Sequence, residues 1–209
     1  MFCCAGPVAW ACSWSCCFEV LCRQLVRGGG CVRLFTAITV AIVLSTVQVI
    51  SLAAELRPYD EQWETPSLDL PDLAGKQHNI DSYRGQVVLV NFWASWCPPC
   101  VVEMPGMQRL ATAFRDRPFS LIAVNFRESR STVWRFRKLL KVAFTMLLDD
   151  TGATADTWDV QVYPTSYLLD AQGRIRYVAR GAVEWDSEEI MQRIETLMPG
   201  RDARQAKLD

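Results

Sequence analysis

The chain has 209 residues, with 22 Lys and Arg against 23 Asp and Glu for a formal net charge of -1, so it offers a polyanion no counter-charge and a nucleic-acid partner is excluded. That length suits one ordinary domain plus a leader. Nine cysteines suggest a disulfide scaffold until they are placed: Cys3, Cys4, Cys12, Cys16, Cys17, Cys22 and Cys31 precede residue 32, and only Cys97 and Cys100 follow. The single histidine, His78, and the lack of a second CxxC after the leader exclude a zinc site.

Residues 1–33, with CC, CSWSCC and GGG, fit neither a signal n-region nor a packed domain. No methionine lies between Met1 and Met104, so an internal start at Val26 or Val32 would leave no trace. We expect residues 1 to about 25 to be an over-extended start; the alternative is a cytoplasmic tail with ordinary thiols. Arg23, Arg27 and Arg33 precede the apolar stretch 34–54, and Glu55, Asp60, Glu61 and Glu64 follow it. That charge asymmetry keeps the N-terminus in the cytoplasm and exports the rest. The stretch is long enough to cross roughly 30 Å of hydrocarbon as an anchor, yet Ser51-Leu52-Ala53 is also an acceptable signal-peptide cleavage site. Both readings stand. An oxidising compartment agrees with a domain that carries only one cysteine pair.

Residues 55–64 are polar and include Pro58, and read as a linker. Residues 67–73 alternate apolar and acidic positions, Ala74-Gly75-Lys76 turns the chain, and 77–80 completes a short hairpin. Asp81-Ser82-Tyr83-Arg84-Gly85 is a turn into Val87-Val88-Leu89-Val90, which continues to Trp93 as a buried central strand. A helix follows from about Pro98, since proline is favoured in the first turn, where its missing N–H would have had no partner. Residues 119–126 form a second buried parallel strand and 131 to about 142 an amphipathic helix with Val133, Phe136, Leu140 and Ala143 on one side. Residues 144–148 are a short apolar run, 151–158 a helical turn or two, and 165–169 with 174–179 an antiparallel hairpin around Asp170-Ala171-Gln172-Gly173. Ser187 caps a last helix to Met198, and 199–209 is a tail of almost no apolar content.

The chemistry centres on Trp96-Cys97-Pro98-Pro99-Cys100. Cys97 sits at a helix N-terminus, where free N–H groups and the dipole favour a thiolate, and Cys100 lies one turn further in. A pair so placed can cycle between dithiol and disulfide. Cys97 is expected to attack and Cys100 to resolve, with no cofactor besides that redox-active disulfide. Glu103 follows three residues later on the same face and can exchange the Cys100 proton if buried; exposed, it merely complements the helix dipole. Trp96, with Pro98 and Pro99, would form an apolar rim for a docking peptide. The basic residues Arg127, Arg130, Arg135, Arg137, Lys138 and Lys141, with Trp134, are either a solvated face or a docking surface for an acidic partner.

Asn91-Phe92-Trp93-Ala94-Ser95-Trp96-Cys97-Pro98-Pro99-Cys100, Glu103-Met104-Pro105 and Tyr163-Pro164-Thr165 resemble the thioredoxin superfamily, and within it the extracytoplasmic TlpA/ResA-like oxidoreductases, over Thr65 to about Met198. The resemblance implies an α/β thioredoxin fold: a central mixed sheet flanked by helices, with an N-terminal β-hairpin addition. It implies a cis Tyr163–Pro164 bond facing the dithiol, with the Tyr163 and Thr165 backbone free to pair with an extended substrate. It also moves the buried acid from the strand, where Asn91 stands, to Glu103. The implied activity is reduction of protein disulfides, for example of apocytochrome c cysteines, on the periplasmic side of the bacterial inner membrane, anchored or secreted. The implied partners are protein dithiols and disulfides, a membrane thiol electron donor, and the membrane itself through residues 34–54. Two rival expectations are a peroxiredoxin-like thiol peroxidase, whose PxxxTxxC pattern would need threonine where Ala94 stands, and a Cu(I) or thiol chaperone holding metal through the CxxC sulfurs.

Overall fold

Every side chain of Val87–Trp93 is buried, which places this strand, β4, in the middle of the sheet and explains why it reads as an uninterrupted apolar run rather than an alternation. The computed structural model describes residues 54–59 and 64–199. The leader, the apolar stretch up to residue 53 and the tail from residue 200 lie outside the described residues. Among the described residues no helix is long and apolar enough to cross a membrane.

In chain order the strands are β1 (Arg57–Pro58), β2 (Asp69–Pro71), β3 (Gln77–Asn79), β4 (Val87–Trp93), β5 (Phe119–Phe126), β6 (Thr145–Asp149), β7 (Thr165–Leu169) and β8 (Ile175–Arg180). The helices are α1 (Pro98–Ala113), α2 (Arg130–Leu140), α3 (Ala153–Thr157) and α4 (Glu188–Leu197), with a 3-10 turn at Ile80–Tyr83. The six-stranded sheet runs β1-β8-β7-β4-β5-β6. β4, β5 and β6 are parallel, whereas β7, β8 and β1 join antiparallel on the other side of β4. The β2–β3 hairpin stands apart as its own sheet and touches β6 through a single bridge, Asp72 to Leu147.

The period of two along β4 divides the core. Val87, Leu89 and Trp93 pack with Met104, Met107 and Leu110 of α1, Val133 of α2, and Ile190 and Ile194 of α4. Val88, Val90 and Phe92 point the other way, onto Leu68, Ile80, Trp158 and Tyr167. Asn91 falls on the α1 side by the same alternation.

Two expectations need correction. Of the expected linker 55–64, residues 55–59 are not free: β1 pairs with Val178 and Tyr177 of β8, the preceding Ala54 N–H donates to Ala182 O (2.6 Å), and Leu56 is buried in the core. The polar look of this segment hid apolar anchors on a sheet edge, Leu56 in the core and Tyr59 packed against Tyr167. The second helix ends at Leu140, because Lys141 turns left-handed (φ 53°) and closes it through its N–H to Arg137 O and Lys138 O. Ala143 is therefore exposed beyond the helix, its N–H donating to Gln108 Oε1 (2.6 Å).

Candidate active site

The sheet delivers its reactive groups to one end. β4 finishes at Trp93, and four residues later Cys97 caps α1, with Pro98 and Pro99 as the first helical residues. Neither proline has an amide hydrogen, so the first donor the helix can offer belongs to Cys100. It donates to Cys97 Sγ at 3.3 Å. The two cysteines are joined, with S–S 2.07 Å and Cα atoms 5.3 Å apart. Both sulfurs are buried, Cys97 marginally less so (4% exposed against 0%). With the bond open, the same amide hydrogen and the positive helix end still face Cys97 and favour its thiolate.

One turn on, Glu103 is buried. Its Oε2 accepts from the Val183 N–H (3.1 Å) and the Trp185 indole (2.9 Å), and its Oε1 from Asn91 Nδ2 (2.8 Å). Burial pushes its pKa up to about 7, outweighing the three donors from Val183, Trp185 and Asn91, each of which favours the charged form. A carboxyl at that value both takes and returns a proton near neutrality.

Trp96, 60% exposed, sets its ring edge-on against Tyr163 (centroids 5.7 Å), and Tyr163 in turn packs on Phe126 (5.1 Å). Pro98 and Pro99 are exposed beside it. Tyr163–Pro164 is a cis peptide bond. Register brings this loop to the dithiol end, since Thr165 pairs with Phe92, next to the last residue of β4. Pro164 O accepts from the Gly181 N–H (2.7 Å), whereas among the described residues the Tyr163 backbone makes no hydrogen bond. The Tyr163 N–H and carbonyl are thus uncommitted among the described residues. Thr165 is different: fully buried between β4 and β8, it donates its hydroxyl to Val162 O (2.8 Å). That bond ties it to the loop that carries the cis proline.

Some participants went unread in the sequence. Asn91 and Ser166 are polar residues inside otherwise apolar strands, and such residues are nearly always bonded; that was the available signal. Trp185 and Val183 carried none, being loop residues far along the chain. Glu128 was also missed. Its carboxylate accepts from the Ser95 N–H (2.7 Å), the Ser95 hydroxyl and Asn125 Nδ2 (2.8 Å), tying the turn before Cys97 to the end of β5. We expect Glu128→Ala to free that turn and slow attack by Cys97 about tenfold, as misplaced reacting groups do. Stopped-flow reduction of a disulfide substrate checks this, and an unchanged rate would remove Glu128 from the site. On α2, the Lys138 ammonium lies 3.8 Å over the Trp134 ring, so the exposed indole there is partly covered.

The AhpC/TSA family model matches residues 63–178. The thiol-disulfide oxidoreductase ResA of Geobacillus thermodenitrificans is 31% identical over 134 residues, covering 64% of this chain and 76% of its own length. The thioredoxin-like protein YneN of Bacillus subtilis is 34% identical over 138 residues, covering 65% and 79%. Among solved structures, a Chlorobium tepidum protein provisionally named thiol:disulfide interchange protein DsbE matches with TM-score 0.61 and 28% identity, over 69% of this chain and all of its own.

Proposed function

The chain belongs to the AhpC/TSA family and is a thiol-disulfide oxidoreductase of the ResA/DsbE type on a thioredoxin fold; from that premise we propose that it reduces protein disulfides outside the cytoplasm. The observation that carries this reading is the arrangement at one helix end: Cys97 as the N-cap under an aimed N–H and slightly less buried than its partner, Cys100 fully buried behind it, and a buried carboxyl one turn on.

Cys97 thiolate attacks one sulfur of the substrate cystine and expels the other as a thiolate. Glu103, ionised, takes the Cys100 proton. Cys100 then attacks Cys97 Sγ, the Cys97–Cys100 bond forms, and the second substrate thiolate leaves. The two leaving thiolates collect the protons released, so one enzyme dithiol and one cystine become one enzyme disulfide and two thiols. Trp96, Pro98, Pro99 and Tyr163 would receive the peptide, with Pro164 and Thr165 shaping the loop. A cysteine pair of apocytochrome c is a substrate of the right chemistry, and a membrane thiol donor would restore the dithiol. The arginines before residues 34–54 and the acids after them support placement on the periplasmic side of the bacterial inner membrane.

Glu103 handles the same proton in either direction, so the potential of the couple decides between reductant and oxidant. In redox-buffer equilibration followed by thiol alkylation, we expect a midpoint below about -200 mV. A midpoint near that of a strong oxidant, about -120 mV, would reverse the proposed direction. The family description raises the thiol peroxidase as a rival, yet Ala94 stands where that chemistry needs a threonine. Rapid peroxide turnover by Cys100→Ser would restore it.

A further inference from the structure

The surroundings of Glu103 restrict where its proton can sit. Oε2 is held by the Val183 N–H (3.1 Å) and by the indole N–H of Trp185 (2.9 Å), and neither donor can accept. Oε1 faces Asn91 Nδ2 at 2.8 Å, and the same nitrogen lies 2.9 Å from Ser166 Oγ. Both amide hydrogens of Asn91 are thus committed, while its Oδ1 is buried without a hydrogen-bond partner. Every contact suits a carboxylate. A carboxylic acid fits less well, because a hydrogen on Oε2 would meet two donors and one on Oε1 directed at Asn91 would meet its N–H.

We propose that Asn91 is a proton-linked positioning residue: when Oε1 of Glu103 takes a proton, the Asn91 carboxamide turns over, and when the proton leaves, it turns back. After the turn, Asn91 Oδ1 accepts from Glu103 Oε1–H, and the Ser166 hydroxyl changes from acceptor to donor toward the same oxygen. One proton arrives at Oε1, no other covalent bond changes, and Glu103 is hydrogen-bonded in both states. No partner holds Oδ1 on the far side, and after the turn Nδ2 stands there instead, so one end of the carboxamide is unpaired in either state; what the turn preserves is a partner for Glu103. This matters because a buried polar group left unpaired costs about 1–3 kcal/mol, which would otherwise resist every proton transfer.

No charged side chain among the described residues is bonded to Glu103. On α1 the nearest titratable groups in sequence are the Cys97 and Cys100 thiols. β4 and β7 contribute only Asn91 and Ser166. In the loop after β8, Glu184 is exposed and Asp186 is engaged with Arg109 (2.6 Å). The coupling therefore runs through hydrogen-bond direction rather than through a neighbouring charge.

The inference rests on Glu103 exchanging a proton in the working range, and the test separates the two. In the full chain, uniformly ¹³C- and ¹⁵N-labelled, the Glu103 carboxyl carbon and the Asn91 side-chain amide are followed from pH 5 to 9. We expect the Asn91 amide signals to move with the same midpoint as the carboxyl. A titrating carboxyl beside invariant Asn91 signals would overturn the turning amide and leave Glu103 its role. A carboxyl that does not titrate in this range would overturn both.

Discussion

Replacing Cys97 with serine is expected to bring disulfide reduction down to the uncatalysed background, a loss of about a thousandfold or more, while Cys100→Ser keeps the first half of the reaction and stalls. The asymmetry follows from exposure and from the amide hydrogen aimed at Cys97. A hydroxyl at position 97 does not ionise near neutrality and cannot attack sulfur. A hydroxyl at position 100 leaves the attack intact but cannot resolve it, so a mixed disulfide accumulates. Intact-mass measurement after addition of a disulfide substrate reads the adduct, and peptide mapping assigns it to Cys97 rather than to the cysteines before residue 32. Were the adduct to form on Cys100 in a Cys97→Ser protein, the assignment of attacker and resolver would be the wrong way round.

A second large effect is expected on stability against pH. Glu103 is held at about 7 in the folded protein against an ordinary value of 4.5. Its folded pKa is raised, so its contribution is fully present below about 4.5 and is lost as pH climbs through 7. At 1.36 kcal/mol for each unit of pKa, the difference between those two values is worth about 3 kcal/mol. Urea unfolding of the oxidised protein should therefore show stability falling by about that amount between pH 4.5 and 8, relative to Glu103→Gln, which keeps an acceptor for Val183 and Trp185 but has no proton to lose. Asp186 does not confuse the measurement. The Arg109 guanidinium holds its carboxyl below the ordinary 3.8, so what it contributes is lost only in more acid solution. Parallel pH curves for the parent and Glu103→Gln would mean that Glu103 is ionised throughout and not the group that holds the resolving proton.

Much of the architecture was legible because it depends on near neighbours in the chain. The run from Val87 to Trp93 has no polar face, which only a central strand tolerates, and Pro98 and Pro99 after Cys97 mark a helix start by their lack of an N–H. The Asp170 to Gly173 turn announced the β7–β8 hairpin in the same local way. Boundaries were harder. Nothing near Lys141 declares that it will turn left-handed, and the capture of Leu56 by the core depends on β8, more than a hundred residues later.

By itself the amino-acid sequence determined the dithiol, the order of its two sulfurs along a helix and the apolar strand that presents them, since each is written in residues a turn or two apart. Only the tertiary structure decided what Glu103 is. Its partners lie 12, 80 and 82 residues away along the chain, and whether a carboxyl is a solvated surface charge or a buried proton carrier depends on which distant groups close over it. The tertiary structure likewise buried Thr165 between two strands and brought Glu128 to the turn before Cys97, because burial and hydrogen-bond partnership belong to the packed chain and have no local signature.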